Sequence, residues 1–168
     1  LYAWVPGWVW AAPVPVVALA ADANLLWSGY QHLLPLADLV LTDSPTAARL
    51  RRAGIEHVRA ANLFGLDRHF AAAIDEPEGH RDIDVLFVGN VHPDVQAERL
   101  PWLGRVAELA DRFRVVVTAG VFGEEYRVLL RRAKLVFIRS LRGECNLRAL
   151  EAAACDAGLL QEVDNAEV

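Results

Sequence analysis

Short apolar runs alternate with amphipathic stretches along most of the chain, and this alternation predicts βαβ units built on parallel sheet. Val14 to Ala20 (VPVVALA) reads as a strand, followed by a helix around Ser28 to Leu34. Asp38 to Thr42 (DLVLT) is the next strand, and Ser44-Pro45 opens the next helix. Ser44 is the expected cap, and Pro45 suits a first turn where its missing N–H would have had no helical partner. Gly54 closes that helix, and a short strand near His57 to Ala61 completes the first half.

The period is then lost. Between Asn62 and Asp82 the chain collects Gly65, Pro77, Gly79 and seven charged residues of both signs, the composition of a surface connection. The expected organisation is therefore residues 1–70 as one half, 71–82 as a linker and 83–168 as the second half. The second half opens on a buried strand, IDVLFVG, ending at Gly89 and Asn90. A helix follows with Leu100, Leu103, Val106, Ala107 and Ala110 on one face, then the strand RVVVTAG from Arg114 to Gly120. Tyr126, Leu129, Leu130 and Ala133 mark another helix. The strand KLVFIRS, the loop LRGECN, a helix from Leu147 to Cys155 and a strand-like GLLQE end the order β-α-β-α-β-α-β.

Composition narrows the class. Hydrophobic residues make up 54% and charged residues 23%, which supports a packed core and argues against disorder. A net charge of −5 gives no general attraction for a phosphate backbone, so nucleic acid is not an expected partner. The first twenty residues are uncharged, but three prolines and a glycine interrupt them and no basic region precedes them, which disfavours a membrane span or signal sequence. Cys145 and Cys155 form no CxxC pair and imply neither a zinc site nor a disulfide framework, so a reducing cytoplasm is the expected compartment. The chain begins at Leu1 and contains no methionine, which reads as a fragment. The five tryptophans read as core or lid residues.

In open parallel sheets ligands bind beyond the carboxyl ends of the strands. The loop at Gly89, Asn90 and His92 lets a backbone approach a ligand closely, although a plain turn accounts for it too. His92 could touch substrate or simply be solvated. Gly120 and Gly123 flank an apolar pair that could hold a base or only form a turn. The third loop and helix, RSLRGECNLRALEAAAC, is the most informative stretch. Arg139, Arg142 and Arg148 surround the start of a helix, where free amides and the dipole favour an anion such as a diphosphate. Leu147, Leu150 and Ala154 are expected to face inward with Glu151 on the same side, and a carboxylate there needs a partner. Arg148, bridging Glu144 and Glu151, would make a purely structural ion cluster. A ligand hydroxyl is the functional alternative.

Three stretches give the chain a resemblance to a known family. FGLDRHF (Phe64 to Phe70), IDVLFVGN, and RSLRGECNLRALEAAACDAGLLQE are similar to segments of GT-B glycosyltransferases, in particular the bacterial spore-maturation-type and family-4-like group. The fold implied is two Rossmann-like halves, both incomplete here: an acceptor-side domain up to residue 70 and a donor-side domain from 83. The resemblance implies transfer of a hexose from a nucleotide-diphosphate sugar to a glycan, protein or lipid acceptor, with retention, without a metal or other cofactor, and with possible peripheral contact to a membrane. Taken together with the positions of the loops after the strands, donor binding is expected at Gly89, Asn90, His92, Gly120, Arg142, Asn146, Arg148 and Glu151. Glu151 matches the second glutamate of the E-x7-E pattern, which binds the donor ribose. The sequence departs from that pattern at Gly143, where the first glutamate belongs, at Asp156, where glycine is usual, and at Gly158, where an apolar residue is usual. A sugar-nucleotide epimerase of similar two-domain fold and a non-catalytic nucleotide-binding module are the competing readings.

Overall fold

The computed structural model describes residues 5–71, 80–140 and 146–163, arranged as two compact units that divide at Gly65 and Leu66. Both are α/β units with parallel sheets.

The first unit contains helix α1 (Gly7–Trp10), strand β1 (Val17–Ala20), helix α2 (Ala23–Leu33), strand β2 (Leu39–Thr42), helix α3 (Ser44–Arg52) and strand β3 (Val58–Ala60). The strands lie side by side in the order β1-β2-β3, with Ala18 opposite Val40 and Val40 opposite Val58. Side chains of Ala20, Val40 and Val58 meet Leu34, Ala47, Leu50 and Ile55 in one core. The first strand starts three residues later than its apolar run, and α2 starts five residues before the expected Ser28. Pro15 explains the late start, because it has no N–H to give to a neighbouring strand. The cap of α3 is also displaced by one residue. Asp43, not Ser44, closes the helix: its Oδ1 accepts from Thr46 N at 2.8 Å and its Oδ2 from Thr46 Oγ1 at 2.9 Å. Trp8 is 75% exposed and is not a core residue.

The second unit begins with α4 (Arg68–Ala71), continues with β4 (Ile83–Val88), α5 (Leu100–Ala107), β5 (Val115–Thr118), α6 (Gly123–Arg132) and β6 (Ala133–Phe137), and ends with α7 (Leu147–Ala154) and β7 (Gly158–Leu160). All four strands are parallel, in the order β5-β4-β6-β7. The chain therefore leaves central β4 in one direction to make β5, then returns past it to make β6 and β7. Right-handed crossovers running in opposite directions place their helices on opposite faces. Accordingly Val85, Phe87 and Phe137 pack with Leu103 and Val106 of α5, whereas Leu86, Val88 and Val136 pack with Leu130, Ala149 and Ala152 of α6 and α7. Burial on both faces is why β4 reads as a continuous apolar run.

Phe70 packs against this second core although the sequence suggested that residues up to 70 belong with the first half. Arg127 donates to His69 O at 2.6 Å and Arg131 to Phe70 O at 3.2 Å, which holds α4 on α6. Most of the expected linker lies outside the described residues. On the amino-terminal side of the strands, Asp82 accepts from Arg132 at 2.6 and 2.8 Å, and Asp84 accepts from Lys134 at 2.6 Å. No helix among the described residues is long and apolar enough to cross a membrane.

Gly158 answers one departure noted above. A Cβ there would lie 2.9 Å from Leu135 Cδ2 and 3.2 Å from Lys134 O, so the side chain of Leu135 occupies the space that an apolar residue at 158 would need. Asp156 does take the left-handed conformation, with φ of 58°, at the end of α7.

Candidate functional site

The strand order reverses between β4 and β6, and the crevice beyond their carboxyl ends is where ligands of open parallel sheets bind. Gly89 follows β4, Gly120 follows β5 and Ser140 follows β6, so all three lie at this edge of one sheet.

Gly89 is there because of what approaches it. A Cβ on Gly89 would sit 3.1 Å from Arg148 Nη2 and 3.1 Å from the Phe87 ring, so a side chain would push the guanidinium away. Arg148 thus reaches from the first turn of α7 to the end of β4, with its guanidinium 5.9 Å from the centre of Phe87. Asn146 orients that turn: its Oδ1 accepts from Arg148 N at 3.1 Å. The first turn of α7 contains no acidic residue, whereas that of α6 carries Glu124 and Glu125. The first turn of α5 lacks acidic residues as well, but only that of α7 carries an arginine that reaches the end of β4, and its start therefore suits an anion.

Glu151 lies one turn further along α7, half-buried. The sequence placed Leu147, Leu150 and Ala154 on the inner face, but Ala149, Ala152 and Cys155 are the buried residues. Small side chains let the helix lie close to the sheet, and the leucines flank the contact. Arg148 is not the partner of Glu151 in an ion pair among the described residues. Instead the hydroxyl of Tyr126, on α6, donates to Glu151 Oε2 at 2.9 Å. Burial raises the Tyr126 pKa well above its ordinary value and the Glu151 charge raises it further, against the opposing pull of the Arg148 guanidinium. Arg148 and Glu151 thus both act on the Tyr126 hydroxyl, with opposite signs. Burial also pushes up the Cys155 thiol, which makes it a core residue and a poor nucleophile.

Arg99 was not foreseen. It stands just before α5, is only 7% exposed, and donates to Asn90 O and Arg139 O, each at 3.1 Å. It ties the loop after β4 to the loop after β6, with its guanidinium 5.7 Å from the centre of Phe87. Ser140 is fixed in turn by Glu162, whose Oε1 accepts from Ser140 N at 3.1 Å and from its hydroxyl. Beside this edge lies a cleft of about 250 Å3 whose walls include Trp102, Phe137, Arg139 and Leu160.

Of the residues expected at the site, Gly89, Asn146, Arg148 and Glu151 converge, and Asn90 joins through its carbonyl. His92 does not join them; it is exposed, and its Nδ1 accepts from Asp94 N at 3.3 Å within its own turn. Gly120 is exposed with φ of 73°, and a Cβ there would meet nothing within 4 Å, so the turn rather than a close approach requires glycine. Arg142, Gly143 and Glu144 lie outside the described residues. No family model matches the chain, and no curated protein matches it.

Proposed function

We propose that the protein is a glycosyltransferase of GT-B type, with the second unit on the donor side and the first on the acceptor side. The observation that carries this reading is the meeting of Gly89, the Arg148 guanidinium and the Glu151 carboxylate at the reversal point of a parallel sheet. A guanidinium at a helix start suits a diphosphate, and a carboxylate one turn away suits the hydroxyls of an attached ribose. In the reaction the bond between the sugar's anomeric carbon and the diphosphate breaks. A bond to the acceptor oxygen forms, and the hydroxyl proton leaves with the diphosphate or to solvent. Arg148, with Arg142 as expected from the sequence, would stabilise the charge that grows on the departing diphosphate.

A thermal-shift screen with UDP, GDP and ADP, followed by product analysis with the matching sugar nucleotides and a hydroxyl acceptor, tests the proposal. A bound nucleotide at a hundredfold excess over its Kd stabilises the native state by about 2.7 kcal/mol, or roughly 5 to 10 °C at this size. Absence of any shift would remove the donor site. A product formed equally well without acceptor would point to an epimerase. Binding without turnover would leave the non-catalytic module.

A further inference from the structure

Helix α5 leaves part of its own face of the sheet bare. Val85 lies opposite Leu135 and Phe137 opposite Leu160, so Leu135, Phe137 and Leu160 share the face on which α5 packs. The helix sits against Val85 and Phe87 of β4, while α6 and α7 both pack on the opposite face. Over β6 and β7 no described helix completes the α5 side: Leu135 is 39% exposed and Leu160 38%, although Val136 and Leu159 on the other face are packed. The cleft of about 250 Å3 lies in this gap, lined by Phe137 and Leu160 from the sheet and by Trp102, Val106 and Leu109 from α5 and the turn after it. Open apolar surface of this kind beside a few polar groups marks a binding surface. The charged residues lining it are Arg105, Arg139 and Glu162. Both guanidinium groups stand over the Trp102 ring, at 5.0 and 5.2 Å from its centre. Arg139 has the Glu162 carboxylate beside it at 3.8 Å, whereas exposed Arg105 makes no hydrogen bond or ion pair among the described residues.

We propose that this cleft binds a small apolar carboxylate, with its hydrocarbon body against Phe137 and Leu160 and its charge on Arg105. Size excludes a whole nucleotide, because pockets that enclose a drug-sized molecule start at about 300 Å3. Charge selects the head group. Two arginines and one glutamate leave the lining with a single positive charge in excess, which a monoanion balances. A phosphate dianion would instead leave negative charge beside Glu162. The free guanidinium of Arg105 offers a carboxylate two parallel N–H donors, and the apolar walls reward every methylene that leaves water. This site is separate from the crevice at Arg148 and does not depend on reading that crevice as a nucleotide site.

Calorimetric titration with octanoate, octanamide, acetate and octyl phosphate tests the assignment on the unaltered chain. Octanoate should bind once per chain, at least about tenfold more tightly than octanamide, which lacks the charge, and than acetate, which lacks the chain. Arg105→Gln, at an exposed position, should weaken octanoate roughly tenfold, and Leu160→Asn should weaken it by a similar factor. No binding of octanoate, or equal binding of octanamide, would overturn the inference without any variant having to fold. Tighter binding of octyl phosphate than of octanoate would overturn the choice of a carboxylate. Full affinity in folded Arg105→Gln or Leu160→Asn would place the ligand elsewhere and overturn the site. Sedimentation without ligand supplies the last arm: a dimer that Leu160→Asn dissociates would show that a second copy fills the cleft, and would overturn the inference too.

Discussion

The carboxyl edges of the two sheets are alike in backbone and opposite in charge. In the first unit Asp22 follows β1, Asp43 follows β2 and Asn62 follows β3, around a cavity of about 30 Å3. That is room for about one water. In the second unit the corresponding edge carries Arg99, Arg139 and Arg148 beside glycine and small residues. Strand direction and helix placement are shared by both, so the backbone alone does not decide what either edge binds. The side chains differ: the first edge carries carboxylates and an amide, whereas the second carries Arg148 beside Gly89, with Arg139 next to Glu162 at 3.8 Å and Arg99 bonded to loop carbonyls. The proposed transfer from a diphosphate donor to a hydroxyl acceptor would draw on such a difference between the edges.

The largest expected effect comes from making the second edge resemble the first. Arg148→Glu should weaken nucleoside-diphosphate binding by more than about a hundredfold, since it removes a charge-assisted contact and adds repulsion. At the first edge Asp43→Asn should leave binding unchanged and alter stability by only a few tenths of a kcal/mol, because Asn caps a helix about as well as Asp. Calorimetry on both variants checks the pair, and comparable losses of affinity would erase the distinction between the edges. Next in size, Gly89→Ala should lower affinity roughly tenfold by displacing the guanidinium without removing it. If affinity is unchanged, Arg148 does not need its present position.

A difference in acid sensitivity should be smaller but measurable. Hydrogen bonds from Arg132 hold the Asp82 carboxyl well below the usual carboxylate range, and Lys134 lowers that of Asp84. Groups lowered in this way stabilise the fold above their unfolded pKa of about 4, and the contribution is lost as pH falls below that value. Both belong to the second unit. Hydrogen exchange between pH 5 and pH 3 should therefore show β4 and β6 losing protection, and Asp82→Asn should flatten that dependence. A slope that survives the substitution would place the acid-sensitive group elsewhere. The smallest effect concerns the two non-glycine residues with left-handed backbone among the described residues, Asp22 with φ of 53° and Asp156 with φ of 58°, one in each unit. Replacing either by Gly should raise stability by up to about 1 kcal/mol in chemical denaturation. A loss instead would mean that the carboxylate, such as Asp156 beside Arg131 at 4.0 Å, matters more than the backbone strain.

These features were unevenly legible in the sequence. Buried parallel strands announce themselves because both faces demand apolar side chains, so IDVLFV is legible, whereas in KLVF only Val136 and Phe137 are buried. Gly89, Arg148 and Glu151 were legible from their places after strands and on one helix. On the inner face of α7 bulk is a poor guide to burial, because contact with a sheet at close range selects Ala149, Ala152 and Cys155 over the leucines. Tyr126 could be read only as part of a core stripe. Its hydroxyl meets a residue 25 positions away, and nothing local encodes that meeting. Arg99 was invisible for a similar reason: a charged residue before a helix looks solvated, and its buried position depends on carbonyls from two distant loops.

The two bonds of Arg99 have a mechanical consequence. Because one planar guanidinium grips Asn90 O and Arg139 O together, the lips of the crevice are coupled like the arms of a rivet, and neither can spread without breaking the shared joint. The crevice is therefore a gauge of fixed width. A ligand that fits meets lips already set at their working distance and spends little of its binding energy on ordering them, whereas an oversized one must rupture a buried charged contact before it can enter.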